Sequence, residues 1–202
     1  GGYLDALREG PQRVLKKHYD CLRKCGRFYR PKVRGECTAS YARLEGEVID
    51  EIVALNPALR AILMVRDPVE RAWSHAKKAL LRGPGRSVEE LAQEEFAKFV
   101  RSSGQRRLAN YSGMIEAWRS RLGPEKLYLG DYRRIATDPK GLLGEMHGFL
   151  GVDRGERYFN RHLRERINAT GKEAMPEAFE ELLRGYLADE IAGFEEVLAE
   201  VG

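Results

Sequence analysis

Cysteine and histidine are scarce in this sequence, which has three cysteines and four histidines among its 202 residues. The odd set Cys21, Cys25 and Cys37 argues against a disulfide framework, and no C-x-x-C pair or paired histidine accompanies it. His75 and His162 also lack a neighbouring carboxylate or cysteine in a metal-binding pattern. We therefore predict no metal site.

Long apolar runs are also absent from the sequence. No stretch approaches the roughly 18 apolar residues that a membrane-spanning helix needs. The net charge is only +4, and the charges are mixed in sign along the chain instead of forming a concentrated basic face. Without such a face we expect no nucleic-acid partner, although the mild positive charge favours an anionic ligand. We predict a cytoplasmic protein without a membrane span, and the oligomeric state stays open.

The apolar pattern predicts one α/β domain, a parallel sheet with flanking helices. Ala61–Val65 is a short, uniformly apolar run, which is typical of a strand buried on both faces. Leu127–Leu129 is a similar run, and Val33–Cys37 is interpreted as a further short strand. Helical patterns between these strands indicate crossover connections. The predicted helices cover residues 3–9, 19–25, 45–55, 68–81, 87–102, 106–121, 139–150 and 176–200.

The stretch ILMVRDPVERAWSH, residues 62–75, joins the first apolar strand to a helix. Asp67 can cap this helix, and Pro68 suits its first position. Ligands of open α/β sheets gather at the carboxyl ends of the strands, and Arg66 lies at such an end. A guanidinium there and the Ser74 hydroxyl two turns later can converge on one phosphate. The alternative is a solvated arginine beside an exposed helix.

Two faces of the same helix can be separated by spacing. One face is expected to pack on the sheet, and it carries Ala72, Ala76 and Leu80. The other face is polar, and it carries Arg71, Ser74, His75 and Lys78.

The segment Val65–His75 resembles the R-N/D-P-x-x-R-A-x-S motif of the sulfotransferases, which follows an apolar strand in that family. The resemblance implies a P-loop NTPase-like sulfotransferase fold and an enzyme that uses 3′-phosphoadenosine-5′-phosphosulfate (PAPS). It also implies that Arg66 and Ser74 bind the 3′-phosphate of the nucleotide.

Further blocks extend the resemblance over most of the chain. Gly35–Tyr41 (GECTASY) is similar to the G-E-K-T-P-x-Y block, and Lys126–Pro139 is similar to L-x-L-x-Y-E-D-L-x-x-D-P. His147–Val152 contains the F-L-G-V pattern that closes a helix in the family. The resemblance implies that Tyr41 and Tyr111 contact the acceptor.

One part of the family pattern is missing. The phosphosulfate-binding loop, a P-K-x-G-T-T-like turn after the first strand, is absent, and Gly1 and Gly2 resemble its end. The resemblance implies that these glycines contact the nucleotide. We expect residues 1–202 to form a single sulfotransferase domain that lacks the N-terminal strand and this loop, both of which we expect upstream of Gly1.

The catalytic base is the second departure from the pattern. The block Leu15–Asp20 (LKKHYD) resembles K-E-x-H-F-F-D, whose glutamate is taken as the base, but no glutamate stands at that place here. His18 is one candidate because imidazole titrates near neutral pH, and a solvated surface role is its alternative. Glu36 is the other candidate, and helix capping or an ion pair with Arg34 is its alternative.

A basic loop, residues 162–172, follows the F-L-G-V block. By the resemblance, Arg166 and Lys172 in this loop contact the nucleotide, with a solvated loop as the alternative.

The leading hypothesis is a sulfotransferase that moves a sulfuryl group from PAPS to a hydroxyl of a sugar or small-metabolite acceptor. A non-catalytic module that binds a nucleotide or a partner is the alternative, favoured by the missing loop and glutamate. A P-loop kinase is disfavoured because no G-x-x-x-x-G-K-S/T motif occurs.

Overall fold

The structure, a computed structural model, describes residues 10–26, 28–81, 87–155, 163 and 173–201. In this part of the chain the sheet has two parallel strands, β1 (Ala61–Val65) and β2 (Leu127–Asp131). Ala61 pairs with Leu127, and Val65 pairs with Asp131. The prediction of β1 is confirmed, and β2 continues two residues beyond the apolar run that predicted it.

Helices connect and flank the two strands. In chain order they are α1 (Pro11–Cys25), α2 (Gly46–Leu55), α3 (Pro68–Leu80), α4 (Gln93–Ser102), α5 (Gln105–Ala109), α6 (Tyr111–Leu122), α7 (Arg134–Thr137), α8 (Pro139–Phe149), α9 (Glu177–Tyr186) and α10 (Ala188–Val201). Two short 3₁₀ helices cover Ala39–Arg43 and Pro124–Lys126. The connection from β1 to β2 runs through α3 to α6, as expected for a parallel pair.

Two hydrophobic clusters form the core among the described residues. The first lies against the sheet and combines residues of β1, β2, α2, α6 and α10, including Val65, Trp118 and Phe194. The second is formed by helices alone and centres on Phe96, which stacks on Phe179 with ring centroids 4.2 Å apart. The sheet therefore packs against α6 in the first cluster, and Tyr128 of β2 also contacts Phe149 of α8, while α3 is held mainly by other helices.

Two predictions about burial are wrong. Ala72 and Ala76 are buried, but they lie in the helical cluster and not on the sheet. In β1 only Val65 is fully buried, and Ile62 is 38% exposed. Uniform apolarity therefore does not correspond to burial on both faces here.

Several helix and strand boundaries also differ from the predictions. The α1 helix begins at Pro11, well before residue 19, because proline is well tolerated in a first helical turn. Residues 33–37 form no strand and are exposed. The helix predicted at 106–121 is divided at Asn110, whose side chain caps α6 by accepting a hydrogen bond from Gly113 N at 2.9 Å. The helix predicted at residues 3–9 lies outside the described residues.

Candidate functional site

The loops after β1 and β2 leave the sheet side by side. The backbone N–H of Tyr132 donates to the carbonyl of Val65 at 2.8 Å, so the pairing continues one step beyond β2. Arg66 and Tyr132 consequently meet at the carboxyl edge of the sheet, with the Arg66 guanidinium carbon 4.9 Å from the centre of the Tyr132 ring. A cation over an aromatic face is stabilised there and keeps a defined direction.

Arg66 is bound on three sides but keeps unused donor capacity. Its Nη2 lies 3.4 Å from Glu70 Oε2, and its backbone N–H donates to the Tyr111 hydroxyl at 3.3 Å. Its Nε is buried and has no hydrogen-bond partner. The side chain is 28% exposed, so an anion can reach it from solvent.

The α3 helix begins immediately after Arg66 because the local sequence specifies its start. Asp67 Oδ1 accepts from the backbone N–H of Glu70 at 2.8 Å, and Pro68 is the first helical residue. The predicted cap is confirmed. Ser74 lies two turns into this helix and is half-buried.

The half-buried Arg71 and the buried Tyr111 both interact with Arg66. Burial lowers the pKa of Arg71, and the nearby charges of Arg66 and Arg43 lower it further. Burial raises the pKa of the Tyr111 phenol, which is 6% exposed. Arg71 Nη2 donates to the side-chain oxygen of Gln105 at 2.9 Å and to its backbone oxygen at 3.2 Å.

A second arginine lies at the end of β2. Arg133 Nε donates to Asp131 Oδ2 at 2.8 Å, and the Arg133 backbone N–H donates to Asp131 Oδ1 at 2.9 Å. Burial acts to raise the pKa of Asp131, but the hydrogen bonds from Arg133 outweigh it and the pKa is lowered. The carboxyl edge of the sheet therefore carries a neutralised pair beside the more weakly paired Arg66.

The fold brings together two of the predicted site residues, Glu36 and Tyr41. Glu36 Oε1 accepts from the Tyr41 hydroxyl at 3.0 Å and from Thr38 Oγ1 at 3.1 Å. The carbonyl of Tyr41 accepts from Trp118 Nε1 at 3.1 Å, which fixes this segment on α6. The roles of Glu36 and Tyr41 stay predictions.

His18 lies in a different group of contacts. Its Nδ1 accepts from the backbone N–H of Tyr29 at 3.2 Å, and its ring meets the Phe28 and Tyr29 rings edge to face. Within the described residues no hydrogen bond or ring contact joins His18 to Arg66 or Ser74. The catalytic role of His18 also stays a prediction.

The remaining predicted residues are Gly1, Gly2, Arg166 and Lys172, all outside the described residues. No group of three or more potential metal ligands occurs in the part of the chain that is described. No described helix meets the length and hydropathy that crossing a bilayer requires.

Three residues near the site, Tyr132, Arg133 and Gln105, were not predicted from the sequence. Tyr132 and Arg133 directly follow an apolar strand, so the rule that placed Arg66 at the site would have found them as well. Gln105 carries no local signal, because its partner Arg71 is 34 positions away.

Comparison with known proteins adds to this geometry. Residues 31–156 match the family described as "Sulfotransferase family". The structure is similar to the crystal structure of a sulfotransferase from Alicyclobacillus acidocaldarius, with a TM-score of 0.60 and 20% sequence identity over 83% of this chain and 67% of that one. No curated protein matches the sequence. The matched range includes Glu36, Arg66 and Tyr111 but not His18.

Proposed function

The chain belongs to the sulfotransferase family and has its α/β fold, and on this premise we propose that it transfers a sulfuryl group from PAPS to a hydroxyl of a sugar or small-metabolite acceptor. The observation that carries the proposal is Arg66, which lies at the carboxyl end of β1 with a buried Nε that has no partner. A partly exposed guanidinium at this place is suited to a phosphate, which accepts two parallel hydrogen bonds from arginine.

We assign two residues at the junction to the 3′-phosphate of the nucleotide. Arg66 supplies charged donors, and Ser74 on the following helix supplies a neutral hydroxyl. The Tyr132 ring holds the guanidinium plane from one side. Glu70 is an intramolecular partner of Arg66 at 3.4 Å, which a doubly charged phosphate can displace because the pair is partly exposed.

The transfer step needs a proton acceptor as well as a held nucleotide. When bound, PAPS supplies an activated sulfuryl group, and the acceptor oxygen bonds to its sulfur as the sulfur–oxygen bond to the 5′-phosphate breaks. Glu36 is our candidate for the base, since it lies in the family-matched segment and already accepts from two hydroxyls. Tyr41, which is hydrogen-bonded to Glu36, is then our candidate for contacting the acceptor. His18 is the second candidate base.

A non-catalytic binding module is the alternative, and two observations favour it. The block around His18 lacks the family's glutamate, and His18 is engaged by the backbone of Tyr29. The alternative module binds a nucleotide or a partner without catalysis, whereas only the enzyme transfers labelled sulfate from PAPS to an acceptor. A transfer assay over a panel of sugars and small alcohols therefore separates them.

Calorimetric titration tests the nucleotide site. Arg66→Ala should cost about 2 to 3 kcal/mol of binding to 3′,5′-bisphosphoadenosine, and Ser74→Ala about 1 kcal/mol, because charged hydrogen bonds contribute more than neutral ones. Both losses should nearly vanish with adenosine 5′-phosphate, which has no 3′ group. Arg101→Ala, at an exposed arginine of α4, is the control. Equal losses for both nucleotides would show that Arg66 does not bind the 3′-phosphate.

A further inference from the structure

Gln105 is the one buried polar side chain among the described residues, with no exposed surface. It follows Gly104, whose φ of 66° turns the chain from α4 into the short α5 helix. A buried amide is costly unless its hydrogen bonds are satisfied, so its partners define its role.

The partners of Gln105 come from two turns of α3 and from its own loop. Its side-chain oxygen accepts from Arg71 Nη2 at 2.9 Å, and its amide nitrogen donates to Ser103 Oγ at 2.7 Å. The same nitrogen lies 3.0 Å from His75 Nδ1. Arginine can only donate, so the amide atom facing Arg71 is the oxygen. The amide nitrogen is then a donor, which requires His75 Nδ1 to be an unprotonated acceptor.

This arrangement fixes Arg71 without cancelling its charge. The amide is neutral, and no carboxylate pairs with Arg71 within the described part of the chain. Its Nε is buried without a hydrogen-bond partner. Arg71 interacts electrostatically with Arg66 and with the buried Tyr111. Like charges held in a poorly solvated region repel each other, and a bound anion relieves this repulsion.

We infer that Gln105 is a positioning residue for anion binding at the carboxyl edge of β1: it holds Arg71 in place as an uncompensated positive charge near Arg66. This inference rests on the proposed function for the identity of the natural anion, the 3′-phosphate of the nucleotide. A glutamate at this position would keep the acceptor toward Arg71 but neutralise its charge. The neutrality of the Gln105 amide is thus what leaves the charge of Arg71 available to an anion.

The test compares Gln105→Glu with Gln93→Glu, which makes the same change of charge at an exposed position of α4. Inorganic pyrophosphate and 3′,5′-bisphosphoadenosine are titrated calorimetrically into both variants and the wild type at several salt concentrations. We expect Gln105→Glu to weaken binding of both anions about tenfold at low salt, with a smaller loss at high salt. A purely structural role would lower the melting temperature without this salt dependence.

If Gln105→Glu does not fold, a second variant tests the same inference. Ser103→Asp brings a carboxylate to the same amide from a half-exposed position, and it should weaken pyrophosphate binding about threefold. If the wild type binds pyrophosphate but not the nucleotide, and the loss in Gln105→Glu persists, the inference holds and the proposed function fails. Affinities equal to those of Gln93→Glu, or no binding of either anion by the wild type, would overturn the inference.

Discussion

The hydroxyl of Tyr111 accepts the backbone N–H of Arg66 at 3.3 Å, across 45 positions of sequence. The bond ties the start of α6 to the first residue after β1. Since the Tyr111 side chain is only 6% exposed, it holds the Arg66 backbone from within the core. The direction of the Arg66 side chain therefore depends on a residue that lies far from it in the chain.

Tyr111→Phe tests this dependence. Removing the acceptor leaves the Arg66 N–H without a partner, so we expect the free energy of unfolding to fall by about 1 kcal/mol. Affinity for 3′,5′-bisphosphoadenosine should fall as well, because the Arg66 backbone is no longer fixed. Urea denaturation and calorimetric titration measure the two effects. Tyr19→Phe, at a tyrosine that is 66% exposed, is the matched control, and equal behaviour of the two variants contradicts the prediction.

Glu70→Gln should strengthen nucleotide binding. The carboxylate lies 3.4 Å from Arg66 Nη2 and must give way when a phosphate binds, and a partly exposed pair of this kind contributes under about 1 kcal/mol. We therefore expect the bisphosphate to bind about threefold more tightly to the variant, with little change in stability. Glu116→Gln, at an exposed glutamate of α6, is the control. Weaker binding to Glu70→Gln would mean that Glu70 supports the phosphate site.

Asp67→Ala should destabilise the protein by about 1 kcal/mol, because the α3 helix loses the cap that accepts from Glu70 N at 2.8 Å. Asp67→Asn keeps an acceptor oxygen and should retain most of the stability. Thermal unfolding followed by circular dichroism measures both variants. If asparagine is as damaging as alanine, the charge of Asp67 matters and not its capping bond.

Local features of this fold could be predicted from the sequence, and long-range ones could not. The apolar run of β1, the cap at Asp67 and the place of Arg66 directly after the strand can be recognised from neighbouring residues, so the local pattern was sufficient to predict them. Gln105 gains its role from Arg71, a partner that only the folded chain brings close. The packing of Ala72 in the helical cluster likewise depends on where α4 and α9 lie.

The strand predicted at Val33–Cys37 shows where a local pattern is insufficient. Its residues have no neighbouring strand to pair with among the described residues, and all are exposed. A strand needs such a partner for its hydrogen bonds, which a local pattern does not reveal. The same segment still contains Glu36, whose hydrogen bonds to Thr38 and Tyr41 are short-range.

Stability in acid should depend on Glu145, which joins three elements. Its carboxylate accepts from Arg134 Nη1 at 2.8 Å and Nη2 at 2.6 Å, and from the Tyr128 hydroxyl at 2.8 Å. These contacts link α7, α8 and β2 below the carboxyl edge of the sheet. The hydrogen bonds from Arg134 lower the pKa of Glu145, and this outweighs its partial burial.

The pH dependence follows from the direction of that change. A carboxyl group whose pKa is lower in the folded protein than the ordinary value of about 4.3 stabilises the fold above that value. This contribution is lost as the pH falls through the lower, folded-state pKa. Glu145→Gln should therefore be less stable than the wild type at neutral pH, and the difference should shrink below about pH 4. Urea denaturation across this pH range measures the free energies of unfolding, with Glu116→Gln as the control. A stability difference between Glu145→Gln and the wild type that stayed constant with pH would contradict the prediction.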